Sequence, residues 1–237
     1  MTSRTCISLI LAIALAASAS AAEPPRVSLA TDAASAGLVE IRSLSPGIEM
    51  DIRYAGANNF TGARVQGYEA PSCYLLAPVA KALAQVEQDL RADGFGLRIY
   101  DCYRPVRSVQ AFMAWVNDPS ELSRKALQYP DLDKPRLLAD GYIAERSGHS
   151  RGATVDLGLL DCRNGRCKPM DMGTDFDFFG PRAHTQTSGL SDAQQANRQQ
   201  LVSAMARRGF ANYPKEWWHY TLQPEPDPGT AYDVPVL

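Results

Sequence analysis

The sequence predicts a compact α+β domain, with a mostly antiparallel sheet and flanking helices. Three observations carry that expectation. Two stretches have the three- and four-residue apolar spacing of helices. Several β-favouring runs lie around them without a regular strand–helix alternation. Neither a glycine-rich phosphate loop nor a GxSxG elbow appears.

The elements follow in chain order. "LVEIRSLSPGIEMDIRYA" (38–55) reads as a strand, a turn at Pro46-Gly47 and a second strand. "APVAKALAQVEQDLRADG" (77–94) is the clearest helix, with Val79, Leu83, Val86 and Leu90 on one face and Gly94 as its stop. "FGLRIYDCYRP" (95–105) reads as a strand and "SVQAFMAWVND" (108–118) as a helix. Residues 118–146 are mixed, because Pro119, Pro130 and Pro135 break any long element. "ATVDLGLLDC" and "CKPMDMG" form a hairpin. A second good helix starts at Ser191 or Asp192, and "WWHYTL" (217–222) is a β-favouring run.

At 237 residues the chain is long enough for one domain with an ample core. Its formal charge of -2 argues against nucleic acid as a partner, since phosphate binding needs a basic face. The first residues carry a different signal. Arg4 precedes an apolar run over 7–17, and Ala19-Ser20-Ala21 fits a small-x-small cleavage site. The run is shorter than the roughly 20 residues a bilayer span needs. Residues 1–21 are therefore expected to be a signal peptide, 22–37 a flexible lead-in and 38–237 the domain. The product is expected to be periplasmic, with no stable membrane association once the leader is removed. The oligomeric state is not legible.

Removing Cys6 with the leader leaves Cys73, Cys102, Cys162 and Cys167. An even number in an oxidising compartment suggests two disulfides. Cys162 and Cys167 flank "RNGR", and Asn-Gly is a strong signal for a type I′ hairpin turn, so a bridge across it leaves Cys73 for Cys102.

The chain has three histidines, and two of them have a carboxylate nearby. His149 and Asp156 are seven apart, which puts them on opposite faces of a straight strand. Gly152 between them permits a bend that aims both at one point. Glu216 and His219 share a cavity if Glu216 precedes a strand and His219 lies within it. Two imidazoles and one carboxylate make a zinc set that leaves a fourth position for water. Glu216, outside the set, then suits the post of general base. The plainer reading is two partly buried histidines and ordinary carboxylates. His184 reads as a structural loop residue.

"NNFTGARVQGYE" (58–69), "YDCYRP" (100–105), "SGHSRGATVDL" (147–157), "FDFF" (176–179), "EWWHY" (216–220) and "YDVPV" (232–236) occur in that order. Along nearly its whole mature length the chain resembles the zinc D-alanyl-D-alanine dipeptidases, whose fold is hedgehog/DD-peptidase-like. That resemblance implies one Zn²⁺ held by His149, Asp156 and His219, with Glu216 as the catalytic base. It makes Arg104 the group that stabilises the developing oxyanion, and it puts Tyr54, Ser147 and Asp177 in the pocket for a small D-amino-acid dipeptide. The sequence departs from the family pattern at Thr154, where alanine is usual, and at Gly148, where close relatives carry a second serine. Two other functions use the same machinery: a D,D- or L,D-carboxypeptidase trimming peptidoglycan stems, and a zinc-bearing binding module without catalysis. The "NNFTG…GYE" segment, which resembles the dipeptidases' cavity-closing region, favours the dipeptidase. Retention of Glu216 and Arg104 argues against the binding module.

Overall fold

The computed structural model describes residues 24–237; the expected signal peptide lies outside the described residues. The elements are β1 (Arg26–Val27), β2 (Leu38–Glu40), β3 (Glu49–Met50), β4 (Tyr74–Leu76), α1 (Ala77–Ala92), β5 (Phe95–Asp101), α2 (Val106–Asn117), α3 (Lys125–Gln128), α4 (Lys134–Ala139), β6 (Thr154–Asp161), β7 (Lys168–Pro169), α5 (Asp192–Ala206), β8 (Phe210–Asn212), β9 (His219–Leu222) and β10 (Thr230–Ala231). This is the α+β domain the sequence predicts.

The central sheet runs β3-β5-β6-β9-β8, with β7 pairing the far end of β6. Only its β3–β5 pair is parallel. Strand β6 is the spine. Its first seven residues are all buried, which fits a strand covered on both faces. The buried stripe of α1, Val79, Leu83, Val86 and Leu90, packs on the neighbouring β5, and α5 reaches β6. Glu87 joins that stripe because its carboxylate is satisfied: it accepts from Leu97 N at 2.7 Å and from Arg91 Nε at 2.6 Å. Helix α5 begins with a capping box between Ser191 and Gln194, so Ser191 is the cap.

Some expectations change. From Arg26 on, the segment read as a flexible lead-in is tied to the domain. Strand β1 pairs in parallel with β10, and Ala36 is buried. Short polar stretches give no sign of pairing with residues two hundred positions away. The turn after Cys162 is not type I′. Gly165 N bonds to Cys162 O, and Gly165 alone takes a positive φ, of 82°, while Asn164 does not. The structure joins Cys162 to Cys167 and Cys73 to Cys102. Among the described residues, no helix is long and apolar enough to cross a membrane.

Candidate active site

Register places the first part of the site. Asp101 on β5 stands opposite Asp156 on β6, and Asp156 stands opposite His219 on β9. Directly paired residues present their side chains on one face, so these three form a row across the sheet. His149 arrives from outside the sheet. It lies in a 3₁₀ turn, Gly148–Arg151, that closes at Gly152 with φ 69°. That left-handed residue is the bend the odd spacing requires.

A backbone acceptor aims His149. His149 Nδ1 lies 2.7 Å from the carbonyl oxygen of Cys102. A carbonyl only accepts, so Nδ1 carries the proton and Nε2 presents a lone pair to the cavity. Glu216 lies just before β9, on a turn in which its N–H donates to Tyr213 O. The side-chain amide of Asn212 ties that turn down by donating to the carbonyls of Glu216 and His219, both at 3.0 Å.

The donors converge. His149 Nε2 is 3.3 Å and His219 Nδ1 3.0 Å from Asp156 Oδ1, and the two nitrogens are 3.3 Å apart. A tetrahedral shell with bonds of about 2.0–2.1 Å spaces neighbouring donors by roughly 3.3–3.4 Å. Asp156 Oδ1 is buried without a hydrogen-bond partner. Two ring nitrogens gathered at a carboxylate oxygen that has no hydrogen-bond partner fit a bound cation, and the N,N,O set suits zinc. Burial opposes ionisation of Asp156, but the two histidines outweigh it and hold its carboxyl below the usual range. Glu216 lies beside this set, with Oε2 3.5 Å from His219 Nδ1. Burial pushes its pKa up to about 7, against the pull of His219. That value suits a group that exchanges protons near neutral pH.

Arg104 is anchored by two bonds to Asp101 Oδ2, at 3.0 Å from Nε and 2.8 Å from Nη2, and lies 3.7 Å from Asp156 Oδ2. Its guanidinium carbon sits over the rings of Tyr54 and Phe112. Burial works against its charge; the acidic groups around it, Asp101 first, together outweigh burial and hold its pKa above the ordinary range. Across the cavity, Tyr54 Oη lies 3.1 and 3.0 Å from the two oxygens of Asp177. Burial, then the charge of Asp156, pushes the Asp177 carboxyl well above the ordinary range. Asp177 has φ 60°, the one positive value outside glycine among the described residues. An aspartate there is uncommon and mildly strained, as residues fixed at functional sites often are. Ser147 Oγ caps the turn by accepting from His149 N at 3.2 Å, which leaves its hydroxyl proton unused by that bond.

All eight residues proposed from the sequence line one cavity of about 320 Å³. That is the low end of small-ligand pockets. Phe60, from "NNFTG", and Tyr142, from the stretch with no clear reading, complete its walls. Sequence reasoning missed Asp101, which stood inside the quoted "YDCYRP". Besides Arg104, Tyr68 Oη donates to it at 2.6 Å. It also missed Tyr142, whose hydroxyl meets His184 Nε2 at 3.0 Å.

A family model described as D-ala-D-ala dipeptidase, Peptidase_M15, matches residues 34–237. The chain belongs to that family. The D-alanyl-D-alanine dipeptidase of Streptomyces coelicolor is 41% identical to it over 196 residues, covering 83% of this chain and 96% of that protein. The enzyme of the same name from Enterococcus faecium is 37% identical over 200 residues, covering 84% and 98%. The one from Escherichia coli is 33% identical over 185 residues, covering 78% and 84%. As a member of Peptidase_M15, the chain is a peptidase, and the cavity described above is its candidate active site.

Proposed function

We propose that the protein hydrolyses free D-Ala-D-Ala to D-alanine, with one zinc ion per chain held by His149, Asp156 and His219. The observation that carries this is the convergence of two histidine nitrogens on Asp156 Oδ1, which has no hydrogen-bond partner, with Glu216 beside the three and outside the set. Zinc there supplies Lewis acidity and makes water acidic enough to react at neutral pH. Glu216 takes the proton of the attacking water at Oε2 and passes it to the leaving amine. Arg104, held by Asp101, donates to the oxygen that becomes negative; loss of one such donor typically costs about 10²–10³-fold in rate. Asp177, with Tyr54 behind it, receives the substrate's ammonium group, whose charge keeps the carboxyl ionised. The Ser147 hydroxyl donates to the peptide.

The dipeptidase reading is favoured over a carboxypeptidase by the small cavity, walled by Tyr54 and Phe60. An acyl group on the substrate's amino end removes the ion pair to Asp177 and adds bulk. We further propose that residues 1–21 direct export and that the enzyme acts in the periplasm on D-dipeptides released outside the inner membrane. The leader pattern and the two cystines support this.

The roles separate by mutation. Glu216→Gln is expected to retain zinc and lose at least about 10²-fold in kcat, whereas His219→Ala loses both. Elemental analysis beside steady-state kinetics reads the two effects. Loss of metal from Glu216→Gln with retention in His219→Ala overturns the assignment.

A further inference from the structure

We infer that the Cys73–Cys102 bridge is a positioning device for the zinc-binding histidine His149. This rests on the zinc reading above and concerns how the chain holds its ligand.

Both cysteines are buried and their Cα atoms lie 5.2 Å apart. The bridge joins two pieces of structure that the backbone connects weakly. Cys102 follows β5 of the central sheet. Cys73 precedes β4, which pairs only with the three-residue β2 in a separate two-stranded sheet. The turn carrying His149 is clamped between these pieces. On one side, Cys102 O accepts from His149 Nδ1 at 2.7 Å, and Arg104 N donates to His149 O at 3.3 Å. On the other, Leu76 N donates to Gly152 O at 2.9 Å. Tyr103 N donates to Tyr74 O at 2.9 Å, directly beside the bridge.

The Cys102 carbonyl is the group that fixes the tautomer and the ring orientation of His149. Its neighbours Asp101 and Arg104 form the anchored pair of the site. Opening the bridge leaves the 73–76 piece held to the 101–104 piece by the Tyr103–Tyr74 backbone bond and by core packing, and the carbonyl loses its covalent brace. Removing the hydrogen-bond partner of a metal-bound histidine typically costs about 10–100-fold in metal affinity. Loosening that partner belongs at the lower end. The second bridge provides an internal control. Cys162–Cys167 closes an exposed turn at the far end of β6, with the Arg91 guanidinium 3.2 Å from each sulfur, and none of the cavity residues touches it.

The test compares wild type, Cys73→Ala/Cys102→Ala and Cys162→Ala/Cys167→Ala as mature full-length chains. Zinc affinity is measured by competition with a chromophoric chelator, well below each variant's Tm. The visible spectrum of the cobalt-substituted protein reports ligand geometry. The first variant is expected to bind zinc about tenfold more weakly and to shift the cobalt bands; the second is expected to match wild type. Equal affinities and spectra in all three overturn the inference. An equal loss in both variants also overturns it, because that marks general destabilisation. Should the first variant fail to fold, graded reduction of wild type with a phosphine takes its place, with opened bridges counted by alkylation and mass mapping. Zinc affinity, read by the same chelator competition, is then expected to fall about tenfold as Cys73–Cys102 opens, and an unchanged affinity with that bridge open overturns the inference. A wild-type protein that takes up no zinc refutes the underlying reading, and this one with it. Zinc binding indifferent to the bridge refutes this one alone.

Discussion

Gly148 and Thr154, the two departures from the family pattern, touch each other. A Cβ at Gly148 would lie 2.8 Å from Thr154 Oγ1, closer than such atoms approach. Thr154 cannot easily yield, because it is fully buried and its hydroxyl meets Thr221 Oγ1 at 2.9 Å. The threonine therefore occupies the space a side chain at position 148 would need. Gly148→Ser alone is expected to cost about 1–3 kcal/mol through overpacking. Adding Thr154→Ala is expected to recover much of that, giving a coupling of at least about 1 kcal/mol in urea denaturation. Additivity contradicts the compensation. A second prediction concerns Arg104. Lysine lacks the fork that engages Asp101 through Nε and Nη2 while still facing the cavity. Arg104→Lys is expected to keep zinc and lose about 10²–10³-fold in kcat. At this scale the sequence was legible where chemistry restricts the choice of residue: histidines, a carboxylate three positions away, an arginine before a proline. Asp101 was illegible because its role comes from strand register, which no local spacing reveals.

Among the elements, the 58–62 loop depends on one side chain. The Asn59 amide donates to the carbonyls of Arg53, Gly56 and Ala63, and its oxygen accepts from Thr61 N. These bonds set Phe60 on the cavity wall, where it packs edge-on against Tyr54. Asn59→Ala strands those partners, at about 1–3 kcal/mol for an unsatisfied buried group. It is expected to raise KM for the dipeptide more than it lowers kcat, and to relax rejection of N-acylated substrates. Unchanged KM contradicts this role. The helices α1 and α5 were readable because each carries its own cap, stop or periodic stripe. The two- and three-residue strands β1, β8 and β10 were not, since they exist through partners far along the chain. The proline-broken stretch 118–146 hid a cavity wall for the same reason: Tyr142 is held there by His184, forty-two positions away.

At the scale of the whole molecule, the near-neutral charge argued against a nucleic-acid partner, and the ordered motifs carried the family. The compartment is a separate prediction. Fractionation is expected to find the mature chain in the periplasm, and expression of the full gene is expected to leave the cytoplasmic D-Ala-D-Ala pool unchanged; a sharp fall in that pool contradicts export. The central claim is that one zinc site in a small cavity cleaves a free D-dipeptide. Its most direct test is a single assay of the zinc-loaded protein, before and after chelation, on free D-Ala-D-Ala, L-Ala-L-Ala and N-acetyl-D-Ala-D-Ala. The account predicts cleavage of free D-Ala-D-Ala at least about 100-fold faster than of N-acetyl-D-Ala-D-Ala, since leaving Asp177 without its ion pair is costly. It also predicts that activity is lost on chelation and restored by zinc. Faster cleavage of the acylated substrate, or full turnover by protein shown to be free of metal, contradicts it.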